Sequence, residues 1–135
     1  MTNVIAPQEE ATVRAFIVRE RRERFLELLP NPKRRHVITK SLGHPNPAWF
    51  DSRYVKPVPN LTNAGIAHLL RAKGAGAKCW AISESSSLDG QELELLAVLD
   101  EVVGCGIGTI ICCVPGKLAF VESEDGRFIW RSSYW

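Results

Sequence analysis

The chain has 135 residues, 45% of them hydrophobic and 24% charged, which fits one domain of ordinary globular composition and is large enough for a core. No apolar run approaches the about 20 residues of a membrane span, so no membrane partner is expected. The net charge of +2 conceals an asymmetry: residues 1–60 carry eleven basic and six acidic side chains, whereas residues 61–135 carry six basic and nine acidic ones. Residues 1–10 lack a charged start followed by an apolar stretch, so a cytoplasmic location is expected.

Pro7 sits where a first-turn proline is tolerated, and a helix is predicted from Gln8 to Leu29. Val13, Phe16, Ile17, Phe25, Leu28 and Leu29 make its apolar face, which is interrupted near Glu20 and Arg21. Arg19–Glu23 and Glu20–Arg24 have the spacing of helix-surface ion pairs. Pro30 ends this helix, and Asn31-Pro32 starts a second one that runs to Gly43. Residues 44–60 place Trp49, Phe50 and Tyr54 among four prolines, which predicts an ordered loop held by its aromatics. Thr62 or Asn60 caps a further helix to about Lys73 that buries Ile66, Leu69 and Leu70.

Lys78 to Ser83 is short, apolar and preceded by glycines, and is read as a buried strand. Ser83 to Ser87 breaks it, because serines compete for backbone hydrogen bonds. Asp89-Gly90-Gln91-Glu92 has the pattern of an acidic capping box, with Leu88 and Leu93 as its staple. Leu95, Leu96, Leu99, Val102 and Val103 follow at helical spacing, and Gly104 is the left-handed stop. Both alternating faces of Ile107–Val114 are apolar, so this strand should be central and covered on both sides. Pro115-Gly116 separates this strand from its antiparallel neighbour Leu118–Val121, and Asp125-Gly126 separates that one from Arg127–Arg131, placed at an edge by its arginines.

The expected fold is α+β: a mixed four-stranded sheet, one βαβ unit continuing into an antiparallel meander, with about four helices. It is organised as a single domain over 1–135, with a basic helical pair at 1–43, a proline and aromatic loop at 44–60 and a sheet-containing core at 61–135.

The segments Arg21-Arg22-Glu23-Arg24-Phe25-Leu26, Ile82-Ser83-Glu84, Leu88-Asp89-Gly90 and Val114-Pro115-Gly116-Lys117-Leu118 together resemble a group of small bacterial proteins of unknown function. The resemblance spans most of the chain. It implies a bacterial cytosolic origin and brings no activity or site residues with it.

The chemistry divides three ways. Arg21, Arg22, Lys33, Arg34 and Arg35 form the first candidate set, a basic helical pair suited to nucleic-acid phosphates or to an acidic protein. Ser83, Glu84, Ser85 and Lys117 form the second. If the strands joined by the helix are parallel, these residues share the carboxyl end of the sheet and could hold the ligand of a small enzyme. The third reading is a protein-interaction or toxin-neutralising subunit, a homodimer included, that uses Trp130, Tyr134 and Trp135.

Gly104 to Thr109 is glycine-rich, but a phosphate cradle needs the strand before the glycines and the helix after them. Cys79, Cys105, Cys112 and Cys113 lack metal-ligand spacing, and His36, His44 and His68 do not complete it. Reduced buried thiols, no cofactor and no metal are expected. The best functional reading is a small binding or regulatory protein that meets an acidic partner, nucleic acid first, through its basic N-terminal helices.

Overall fold

The computed structural model describes residues 4–132. Among them, five α-helices and six strands form an α+β fold around an open antiparallel sheet. The helices are α1 (Pro7–Phe16), α2 (Arg19–Leu28), α3 (His36–Thr39), α4 (Asn63–Ala72) and α5 (Leu95–Val102). The strands are β1 (Val55–Pro57), β2 (Lys78–Ser83), β3 (Gln91–Glu94), β4 (Thr109–Val114), β5 (Leu118–Ser123) and β6 (Gly126–Arg131). They lie in the order β1-β6-β5-β4-β2-β3.

The doubly apolar strand has its expected place. β4 is interior, and its side chains alternate between two cores. Ile110 and Cys112 join Phe16, Phe25, Leu42 and Trp130 beneath the N-terminal helices. Ile111 and Cys113 join Ile66, Leu70, Leu95 and Leu99 beneath α4 and α5. The same alternation sets Ala119 and Val121 against Leu118 and Phe120. The result is a sheet covered by helices on both faces. Of the two residues expected as the cap of α4, Thr62 fills the role, its hydroxyl accepting from the Gly65 amide at 3.1 Å. Gly116 adopts φ 71° in the Pro115-Gly116 turn, and Gly104 adopts φ 79° after α5.

Four features differ from the sequence expectation. First, the helix over 8–29 is two helices. Ile17 and Val18 are extended, and the Val18 amide donates to the Trp49 carbonyl while the Asp51 amide donates to that of Phe16, each at 2.8 Å. Two adjacent β-branched residues need little inducement to leave the helix, and this short ladder accepts the backbone groups they release. Second, the stretch after Asn31-Pro32 is a turn through Arg35. The α-helix begins only at His36 and passes into a 3₁₀ turn at Lys40–Gly43.

Third, there is no capped helix at Asp89. Residues 91–94 instead pair as β3 with β2, and α5 starts at Leu95. Hence β2 and β4 are antiparallel neighbours rather than the parallel strands of a βαβ unit. Fourth, β1 emerges from the proline and aromatic loop and pairs with β6, so the arginine-bearing strand is not an edge. Tyr54 and Val58 make their main-chain bonds to β6, which turns the backbone groups of Val55 and Pro57 outward. Pro57 has no N–H to offer there, a common device against strand addition.

The loop itself is held by rings, as its composition suggested. Phe50 packs edge-on against Trp130 at 4.7 Å, Trp49 against Phe25 at 5.7 Å and Tyr54 against Phe16 at 6.4 Å. Trp130 is therefore a fully buried core residue and not part of an outer aromatic surface. Tyr134 and Trp135 lie outside the described residues.

Candidate functional site

The structure divides the basic set by role. Arg21 and Arg24 are exposed on α2, and Lys33 and Arg34 are exposed on the turn before α3. Arg22 is half-buried, and its Nε donates to the Ile17 carbonyl at 2.8 Å, which holds the side chain over the break between α1 and α2. Arg35 is different in kind. Its Nε and Nη2 grip both oxygens of Asp89 at 2.7 and 2.8 Å, and Nη1 and Nη2 grip both oxygens of Glu9 at 2.7 and 2.6 Å. Nη1 also donates to the Leu29 carbonyl at 3.1 Å. Every N–H of the guanidinium is thereby engaged.

Burial alone would lower the pKa of Arg35, but the bonds to Glu9 and Asp89 outweigh it and raise the value. Glu9 also accepts from Trp80 Nε1 at 2.9 Å, and Asp89 from the Ser83 amide at 2.9 Å. This network ties α1, the turn before α3 and the β2–β3 loop together. Arg35 is a structural residue and leaves the nucleic-acid set.

The second candidate set does not converge. Ser83 pairs with Thr109 at the start of β4, whereas exposed Lys117 lies beyond its end at Val114, roughly 17 Å away at the usual rise per strand residue. The convergence required parallel strands, and the antiparallel pairing separates the groups. Ser83, Glu84 and Ser85 are also engaged locally. Ser83 Oγ bonds Thr109 Oγ1 at 2.8 Å and accepts from the Ser85 amide at 3.0 Å. The Glu84 carboxylate accepts from the Gly108 amide, and Ser85 Oγ bonds Ser87 Oγ at 2.9 Å.

Burial pushes the thiols of Cys79 and Cys112 up to about 12, and that of Cys113 further in the same direction. Thiols so shifted are poor nucleophiles at neutral pH.

The group that the sequence did not point to is a cleft of about 630 Å³ between the start of α2 and residues 47–53. Arg19, Arg22 and Arg53 line it, together with Glu20 and Asp51. Arg53 clamps Asp51 through Nε and Nη2 at 3.0 and 2.7 Å, and its guanidinium stacks on Tyr54. That hydrogen-bonded pair is the main reason the Asp51 carboxyl sits below its ordinary pKa, with Arg22 adding a smaller charge effect. Only the tertiary turn at Ile17-Val18 brings Arg53 to the start of α2, so no local spacing signalled it.

A separate cluster lies at the β5–β6 turn. His44 contacts Asp125 through Nδ1 at 3.0 Å and Glu124 through Nε2. The Asp125 bond, followed by its charge, raises the His44 pKa above 6.5. The stabilisation from a raised histidine is complete below the unfolded pKa and is lost as pH rises through the folded one. Parent protein should therefore lose stability relative to His44→Gln as pH rises from below the ordinary histidine pKa through the raised one. Paired urea melts at several pH values check this; parallel pH profiles would remove the charged role of His44.

Comparison with protein-family models, curated proteins and solved structures finds no match. No helix among the described residues is long and apolar enough to cross a membrane.

Proposed function

We propose that this is a binding or regulatory protein that meets an acidic partner through its basic N-terminal helices. The observation that carries this reading is the outward presentation of the basic groups around α2. Arg19, Arg21, Arg24, Lys33 and Arg34 are all exposed, and Arg22 and Arg53 flank the cleft at the start of the same helix. Glu20, Glu23 and Glu27 offset part of this charge, which favours a partner held by a few well-placed contacts over a long polyanion.

Nucleic acid, the partner first expected from the sequence, is tested directly. If phosphates are bound, affinity for short DNA or RNA falls with salt as counterions are released. The variant to use is Arg21→Gln/Lys33→Gln/Arg34→Gln, which leaves the structural Arg35 intact. It should weaken binding and flatten the salt dependence by about one unit of slope per lost contact, with little effect of base sequence. Fluorescence anisotropy across a salt series reads both quantities. Absence of binding at low salt would remove nucleic acid and leave an acidic protein as the partner class.

A further inference from the structure

The cleft of Arg19, Arg22 and Arg53 has an apolar neighbour. A second concavity of about 430 Å³ is walled by Pro45, Val55 and Phe128, and it shares Pro47, Phe50 and Ser52 with the basic cleft. The two adjoin across the 47–52 segment, their common wall, and are taken together as one groove. That segment is well anchored: Phe50 is packed on Trp130, the Asp51 amide donates to the Phe16 carbonyl and the Trp49 carbonyl accepts from the Val18 amide. The groove is therefore preorganised, and a ligand meets it without first ordering it.

We propose that this groove docks an extended acidic segment of a partner protein, a carboxylate facing Arg19 and Arg22 beside Arg53 and a neighbouring apolar side chain filling the pocket of Pro45, Val55 and Phe128. This proposal rests on the acidic-partner reading and deepens it.

Three observations select this occupant. The basic half holds three guanidiniums against the carboxylates of Glu20 and Asp51, and Asp51 is already matched by Arg53. A planar carboxylate suits the geometry of the arginines that remain. The apolar half is lined by proline, valine and phenylalanine, with Phe50 only 8% exposed and Phe128 half-buried, so it offers a socket for an apolar side chain. Asp125 in the apolar half and Glu20 in the basic half would repel a backbone that carries a charge at every residue, while a peptide can place one carboxylate and leave its neighbours neutral. Pro57 disfavours strand addition at the adjoining edge, so side-chain recognition within the groove is the mode that fits.

The test selects binders from a random-sequence peptide library on the full-length protein, then measures synthetic peptides by fluorescence anisotropy. Enriched peptides should pair an acidic residue with an apolar one close by. Arg19→Gln/Arg22→Gln should weaken them by about tenfold or more, as lost arginine anchors do. Ser52→Trp, a substitution at an exposed position on the shared wall, should block the groove to a similar degree, with thermal melts confirming that both variants fold. Arg71→Gln, which removes an exposed cation on α4 outside both basic sets, should bind the peptides like the parent.

Peptides without an acidic residue, undiminished binding to Ser52→Trp, or no binder at all would overturn the proposal. Loss in the Arg21/Lys33/Arg34 variant alone would overturn the groove while leaving the acidic-partner reading in place. Mixed-sequence single-stranded DNA that displaces the peptides and binds more tightly would make nucleic acid the occupant. A dimer in sedimentation velocity that Ser52→Trp dissociates would make it a second copy of this chain.

Discussion

Gly108→Ala should destabilise the protein by about 3 kcal/mol or more, at or above the upper end of ordinary overpacking. A Cβ at this position would lie 2.2 Å from the Gly43 nitrogen and 2.2 Å from the Leu42 carbonyl carbon. Both are backbone atoms and cannot swing aside as a side chain could. Relief requires the 3₁₀ turn at Lys40–Gly43 to move off the sheet, and that turn buries Leu42 in the core beneath the N-terminal helices. The shift would also disturb the bond from the Gly108 amide to Glu84 and the one from the Glu124 amide to the Gly43 carbonyl. Gly76→Ala is the control. Nothing lies within 4 Å of its added Cβ, so its melt should stay within about 0.5 kcal/mol of the parent. Urea denaturation of the two variants is the measurement. Equal midpoints would mean that the close approach of residues 42–43 to Gly108 is absent in solution.

Arg35→Met should cost about 3 kcal/mol, as expected when one partner of a mostly buried ion pair is removed and its partners are left. The Arg35 side chain is 17% exposed, Glu9 2% and Asp89 18%. Without the guanidinium, Glu9 keeps only the Trp80 indole and Asp89 only the Ser83 amide among their inter-residue side-chain bonds. Neutralising both acids in the same chain, as Arg35→Met/Glu9→Gln/Asp89→Asn, should recover part of the loss, because it removes the stranded charges rather than the packing. If the triple variant is no more stable than Arg35→Met, packing and not charge is what Arg35 supplies. Asp89→Ala should likewise exceed the about 0.5–2 kcal/mol of a lost helix cap, since Asp89 holds Arg35 and the β2–β3 loop together.

These two residues also show how far the sequence reaches. Gly108 belongs to a glycine-rich stretch that reads as a helix stop with a flexible turn. Gly104 and Gly106 fit that description through their positive φ angles of 79° and 71°. Gly108 does not: it is glycine because another backbone passes over it, and that backbone lies far away in the chain. Arg35 reads as one of three adjacent basic residues at a helix start. Its carboxylate partners are Glu9 and Asp89, on the first helix and beyond the second strand. Side-chain type and spacing place all three cations alike, and only burial separates the structural one from the two at the surface.

The elements legible along the chain were those with local or periodic signals. The α+β class, β2, β5 and β6, the doubly covered β4, the Thr62 cap and the glycines of the turns follow from apolar alternation and from the φ each turn requires. The tertiary structure decided whatever depended on a distant partner. Ile17 and Val18 left the helix because residues 49–51 offered a ladder. Gln91–Glu94 became β3 because β2 needed a neighbour on its open side and the Asp89 carboxylate was already committed to Arg35 and Ser83. Antiparallel pairing then separated Ser83 from Lys117, while the break after α1 brought Arg53 beside Arg19 and Arg22. Helix caps and amphipathic faces are stabilised by contacts within a few residues, so their signals stay in the local sequence. A strand pairing or a buried ion pair is stabilised by groups that meet only once the chain has folded, and no spacing along the chain records which of them will meet.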